Sequence, residues 1–178
     1  GDMPFMSYCT EEQALQNAAR LMQEGGAHMV KLETTQGQIG IIRRLVDAGV
    51  PVCAHLGLRP QSVHKLGGYR VQGRDEASAD AMLEEALGLQ EAGADCLLLE
   101  CVPAALAKRI SEAVKIPVIG IGAGVDCDGQ ILVLYDILAI SKGKRPKFSK
   151  DYMQGAENIT AAIQCYVDEV KSKSFPAA

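Results

Sequence analysis

An internal echo limits how this chain folds more than any other feature of its sequence. Glu24-Gly25-Gly26-Ala27-His28-Met29-Val30-Lys31-Leu32-Glu33 resembles Glu91-Ala92-Gly93-Ala94-Asp95-Cys96-Leu97-Leu98-Leu99-Glu100, 67 positions later. Val50-Pro51-Val52 returns as Ile116-Pro117-Val118, 66 positions later. In both long copies a glycine releases a short apolar run that stops on a glutamate. The run Cys96-Leu97-Leu98-Leu99, bounded by Gly93 and Pro103, reads as a strand buried on both faces, the pattern of a parallel sheet covered by helices.

The intervening sequence supplies those helices. Thr10 and Gln13 form a capping box ahead of an apolar stripe of Ala14, Leu15, Ala18, Leu21 and Met22. Met29 to Glu33 and Val52 to Gly57 read as strands, with a helix over 38–48 between them. A loop-like stretch runs from Leu58 to Asp75, then a helix over 77–92, the Cys96 strand, a helix from Pro103, and a short strand from Val118 to Gly122. A further strand is expected over Ile131 to Tyr135, then a basic loop over 142–150. An amphipathic helix carrying Ile159, Ile163, Tyr166, Val167 and Val170 closes the chain. This alternation predicts an α/β fold with a parallel sheet. Each echo spans two strand–helix units, so four such quarters make about 268 residues, near the ~250 of a (β/α)8 barrel. The 178 residues here fall about 90 short of that. The expectation is therefore one domain, residues 1–178, forming the C-terminal two thirds of such a barrel.

Composition narrows the function classes. Net charge is −4 and Trp is absent, with no basic stripe, which argues against nucleic acid and against an anionic membrane surface. No apolar run reaches the roughly 18 residues of a membrane span. The six cysteines, Cys9, Cys53, Cys96, Cys101, Cys127 and Cys165, form no C-x-x-C pair and are expected to be reduced, buried thiols.

With parallel strands, Asp2, Glu33, His55, Glu100 and the Gly122-Ala123-Gly124 turn all fall at strand C-termini, on one rim, where ligands gather in such folds. Asp2 and Glu33 are hard oxygen donors suited to Mg²⁺. Lys31 shares a strand face with Glu33, and an inward ammonium needs an anion, for which a carboxylate substrate is the natural partner. His55 has no second ligand at zinc spacing and reads either as a donor to substrate or as a core histidine with satisfied nitrogens. Gly120 to Gly124 reads either as a phosphate cradle or as close helix–strand packing. The cations between Gly67 and Arg74 belong to a lid or to a solvated face, and His28 and His64 to the surface.

Several stretches together resemble the ketopantoate hydroxymethyltransferase family: Asp2 to Tyr8, Val30 to Glu33, His55 to Leu58, Pro60 to Val63, Gly67 to Arg74, Leu99 to Pro103, Ile116 to Gly124 and Asp128 to Val133. The resemblance implies a (β/α)8 barrel that assembles into cytoplasmic homo-oligomers, decamers in the family. It implies transfer of a one-carbon unit from 5,10-methylenetetrahydrofolate to 3-methyl-2-oxobutanoate, giving 2-dehydropantoate in pantothenate synthesis, with Mg²⁺ as cofactor. Matched residue by residue, Asp2 becomes a metal ligand beside the substrate and Glu33 a second metal-site carboxylate. Lys31 binds the 2-oxo acid, His55 lies in the substrate pocket, and Glu100 is the general base. By the same resemblance, the family's further metal-site aspartate and substrate-binding serine precede the region present here, as do the first two strands of the barrel and most of the third. The competing readings are another Mg²⁺-dependent 2-oxo-acid barrel of the phosphoenolpyruvate mutase and isocitrate lyase type, and a non-catalytic barrel fragment.

Overall fold

Side-chain alternation along four short strands decides the architecture. In the computed structural model, which describes residues 1–143 and 145–176, the strands are β1 (Val30–Glu33), β2 (Val52–Gly57), β3 (Cys96–Glu100), β4 (Val118–Ile121) and the two-residue β5 (Gly129–Gln130). They form one sheet in the order β1-β2-β3-β4-β5, every pair parallel. Gly1 to Met3 extend the β1 edge, with Asp2 bridged to Lys31.

One face of the sheet is uniformly apolar. Val30, Leu32, Val52, Ala54, Leu56, Leu97, Leu99 and Val118 are buried there against four helices: α1 (Glu11–Gln23), α2 (Ile39–Asp47), α4 (Glu76–Glu91) and α5 (Ala104–Ala113). A short helix, α3 (Val63–Leu66), lies between β2 and α4. The opposite face starts with sulfur and apolar groups, Cys53, Leu98 and Ile121 with Met29, Cys96 and Ile119. It ends in Lys31, Glu33, His55 and Glu100 at the C-terminal ends of β1, β2 and β3.

Helix ends follow local chemistry. The Thr10 hydroxyl accepts from the Gln13 N–H at 3.2 Å, while the Gln13 side chain reaches one residue further back, to the Cys9 N–H. Asp75 and Asn158 cap α4 and α7 (Ile159–Lys171) through Ser78 and Ala161. The stretch 58–75 is less loop-like than its glycines suggest. Pro60 starts a 3-10 turn at Pro60–Ser62, α3 follows, and Gly67 ends it in the left-handed region at φ 72°.

Two expectations fail towards the C-terminus. Ile131 to Tyr135 is not a strand: β5 stops at Gln130, and Leu134 and Tyr135 open a short helix, α6 (Leu134–Ile137). After the Ile131 N–H reaches the Gly120 carbonyl no further strand among the described residues pairs with the run; Ile131, Val133, Leu134 and Tyr135 stay exposed and only Leu132 is partly buried. The stripe proposed for α7 is also only half used. Ala162 is buried, while Ile159 and Ile163 face outward. Of the basic loop, Lys144 lies outside the described residues. Tyr152, Tyr166 and Phe175 pack edge to face, with centroids 5.4 to 5.9 Å apart, to make a small second core.

Glu169 ties that core together. It pairs with Lys150 and accepts from the Tyr152 hydroxyl at 2.8 Å. The Lys150 contact holds its carboxyl below the ordinary 4.5. A depressed carboxyl contributes stability that is present above the unfolded value and lost as pH falls through the folded one. Glu169→Ala leaves the buried Tyr152 hydroxyl without its acceptor and is expected to cost about 1–3 kcal/mol in urea unfolding at pH 7. Glu169→Gln keeps the acceptor, so it should lose less at pH 7 and should flatten the stability profile below pH 4.5.

Candidate active site

The polar end of the sheet is assembled by register. Glu33 pairs with His55 across β1 and β2, and Gly57 pairs with Glu100 across β2 and β3. The β-carbon that any other residue would place at position 57 would stand 2.3 Å from the Glu100 carbonyl oxygen and 2.8 Å from Val102, and φ there is 87°. Only glycine lets the two strand ends lie this close. The Leu58 N–H then donates to the Glu100 carbonyl at 2.8 Å. Immediately after Glu100, Cys101 is left-handed at φ 48°, an uncommon conformation for a side-chain-bearing residue and one that gathers at functional sites.

His55 is 2 % exposed, and its Nε2 lies 3.2 Å from Glu100 Oε2. The contact is short enough for charge to matter, but its direction is off the hydrogen-bond line, and both ring nitrogens are buried without a hydrogen-bond partner. His55 is therefore not a satisfied core histidine. Its main chain is held firmly, the carbonyl accepting from the Thr34 N–H and hydroxyl at 3.0 and 3.1 Å. Glu100 is 16 % exposed by its side chain. Burial, with the Glu100 charge adding to it, pushes the adjacent Cys101 thiol up to about 11, so thiolate chemistry beside Glu100 is disfavoured at neutral pH.

Glu33 is buried, and the N–H of Gln61 donates to both of its oxygens, at 2.9 and 3.1 Å. Burial raises its carboxyl above the ordinary value, and the Gln61 bond and the charges of His55 and Lys31 only partly offset this. Among the described residues no cation contacts it. Lys31 pairs instead with Asp2, Nζ to Oδ1 at 2.8 Å, so the anion expected for Lys31 is supplied here by its own chain. Asp2 and Glu100 stand three strand positions apart, and Glu100 lies four residues beyond Cys96, the residue level with Asp2 and Lys31, with Lys31, Glu33 and His55 between them.

A divalent cation fits the Asp2 and Glu33 end. Glu33 is a buried, under-compensated carboxylate, and both residues offer hard oxygens. Among the described residues no three of His, Cys, Asp and Glu converge, so two carboxylates are what the chain offers, a number Mg²⁺ accepts while keeping water and substrate oxygens. A cavity of about 460 Å³ opens beside Glu33, lined also by Phe5, Tyr8, Arg59 and Lys65. It borders Glu33, not Glu100.

The glycine turn is packing. β-carbons at Gly120, Gly122 and Gly124 would meet the Cys127 sulfur at 2.9 Å, the Phe148 ring at 2.5 Å and Ala104 at 2.5 Å, so protein atoms fill the space a phosphate would need. His28 and His64 are exposed. Sequence reasoning missed Gln61. Its side-chain amide donates to the Met3 carbonyl at 2.9 Å and its carbonyl accepts from the Tyr8 hydroxyl at 2.7 Å, joining the Asp2 loop, Glu33 and the α3 turn. Burial, and then the Glu33 charge, raise Tyr8 to about 12, keeping it a donor. Only the polar side chain of Gln61 beside an N-terminal-turn proline hinted at this role.

The sequence model of the family described as ketopantoate hydroxymethyltransferase matches residues 1–178. The chain belongs to that family. It is 65% identical over 177 residues to the 3-methyl-2-oxobutanoate hydroxymethyltransferase of Alkalilimnicola ehrlichii, covering 99% of this chain and 64% of that one. It is 62% identical to that of Nitrosococcus oceani, covering 98% and 66%. The chain thus spans a little under two thirds of these curated relatives. A solved phosphonomutase-type protein from Burkholderia cenocepacia shares its fold over 67% of this chain and 53% of that one, with a TM-score of 0.50 at 21% identity. Among the described residues no helix is long and apolar enough to cross a membrane.

Replacing Gln61 by Leu removes both side-chain bonds but spares the backbone N–H on Glu33. It should cost about 1–3 kcal/mol, read as a lowered melting temperature of roughly 2–4 °C per kcal/mol. An unchanged melting temperature would show that the Asp2 loop is held by other means.

Proposed function

We propose that this chain carries the catalytic rim of a 3-methyl-2-oxobutanoate hydroxymethyltransferase, with Glu100 as general base. The observation that carries this reading is the 3.2 Å approach of Glu100 to a buried His55 whose ring nitrogens make no hydrogen bond, on the same rim as the Asp2 and Glu33 carboxylates, in a chain of this family. The sheet, with every strand parallel to and beside its sequence neighbour, is the arrangement of a (β/α)8 barrel rather than of a doubly wound sheet. Residues 1–178 are proposed to form the C-terminal two thirds of such a barrel, within a cytoplasmic homo-oligomer.

In this reading Asp2 and Glu33 hold Mg²⁺, Glu33 kept in place by the Gln61 N–H and Asp2 by the Met3–Lys31 backbone pairing. When bound, the cation supplies electrostatic stabilisation of the charge that grows on the keto oxygen. Lys31 stands two residues before Glu33 on the same strand face and binds the substrate carboxylate, exchanging its Asp2 partner as it does so. Glu100 removes the proton from C3 of the 2-oxo acid, and His55 both positions the carboxylate and offers a ring N–H to the substrate. Water releases the one-carbon unit from 5,10-methylenetetrahydrofolate at the formaldehyde level, its two protons going to the two folate nitrogens and its oxygen to the carbon, which leaves tetrahydrofolate. C3 then forms its bond to that carbon as the C=O bond opens, and the proton held by Glu100 passes to the new alkoxide to give 2-dehydropantoate.

Deuterium exchange at C3 of 3-methyl-2-oxobutanoate in the intact protein tests the assignment. Glu100→Gln should slow exchange about 10²–10⁴-fold while leaving substrate binding within a few-fold. Lys31→Ala should instead raise KM more than it lowers kcat. Exchange at the parent rate in Glu100→Gln would remove Glu100 from the role of base.

A further inference from the structure

Three sulfur atoms gather on the active-site face of the sheet, at the floor below the polar rim, where the proposed chemistry does not use them. Cys53 and Cys96 are register partners on adjacent parallel strands, so their side chains leave the sheet on the same side, about 4.8 Å apart at the backbone. Met29 Sδ lies 3.8 Å from Cys96 Sγ. Leu98, Ile119 and Ile121 surround the three with apolar surface. Both cysteines are free thiols.

We infer that Met29, Cys53 and Cys96 form a binding site for the soft monovalent cation Cu(I). Two thiolates and a thioether select Cu(I) over the hard Mg²⁺ proposed for the rim, and they lack the four nitrogen or sulfur ligands of a structural zinc site. Binding is an exchange without redox change. The two thiol protons pass to solvent, two copper–thiolate bonds and one dative thioether bond form, and copper stays at +1. The complex carries one net negative charge. Lys31, the register partner of Cys53 on its other side, stands on the same face with its ammonium paired to Asp2. Cys53 precedes His55 by two residues and Cys96 precedes Glu100 by four, so copper lies below His55 and Glu100, while Lys31 and Asp2 continue its register row across β1.

The test is anaerobic competition between the intact protein and a Cu(I)-specific chelator, followed by the chelator's colour and by thiolate-to-copper charge-transfer absorption. A Cys9→Ser/Cys165→Ser background removes the exposed thiols and is expected to take one equivalent of Cu(I) from the chelator. Adding Cys53→Ser and Cys96→Ser should abolish that uptake, and Met29→Leu, which keeps the core volume, should weaken it at least about tenfold. Uptake that survives loss of both buried cysteines, or a background protein that takes up no copper, overturns the proposal. Should the serine variants fail to fold, unchanged affinity in Met29→Leu does so as well. Mg²⁺ binding should be unaltered in every variant, which separates this site from the rim.

Discussion

The contact between Gly57 and the backbone of Glu100 is the constraint from which the site follows. Two strands ending side by side normally keep a side chain between their last residues. Here no side chain fits at position 57, and the chain exploits the gap. The Glu100 carbonyl accepts from Leu58, and its carboxylate comes to the edge of the His55 ring. The turn that follows is left-handed at Cys101, whose own N–H and carbonyl are engaged by Ile121 and Gln72. Strain at one residue is thus held by hydrogen bonds from two neighbouring segments.

The two faces of the sheet divide the work. The helix side is packed with side chains of zero or near-zero exposure and supplies the apolar burial that holds the strands in register. The other side grades from sulfur at the floor through aliphatic groups to ionisable groups at the rim. A single-residue slip of any strand would exchange these faces, so the same burial that stabilises the sheet also fixes which way Lys31, Glu33, His55 and Glu100 point. Charge is distributed unevenly along that rim. Lys31 has Asp2, Glu33 has only a backbone N–H, and His55 has no hydrogen bond, so the polar groups left least satisfied lie where a metal ion and a 2-oxo acid would add the missing partners.

Much of this was legible in the residues. The repeated glycine, apolar run and glutamate located β1 and β3 with their ends, because the glycine releases each helix and the glutamate marks where the run reaches the rim. His55 was ambiguous for a physical reason: its sequence neighbours Ala54 and Leu56 are apolar whether the ring is satisfied or not, and only the missing partners on Nδ1 and Nε2 decide. Gln61 was invisible because its role depends on three contacts more than 25 positions away in sequence. Ile131 to Tyr135 misled because β-branched and aromatic residues score as strand whether or not a partner strand exists, and here the partner is missing beyond Gln130.

What the site does turns on where substrate C3 lies relative to Glu100. A crystal structure of the intact protein with Mg²⁺ and 3-methyl-2-oxobutanoate measures that directly. The account predicts C3 within about 3–3.5 Å of a Glu100 carboxylate oxygen, with the substrate carboxylate on Lys31. A complex in which C3 faces away from Glu100, or in which the 2-oxo acid binds without approaching Asp2, Glu33 and Lys31, would contradict it.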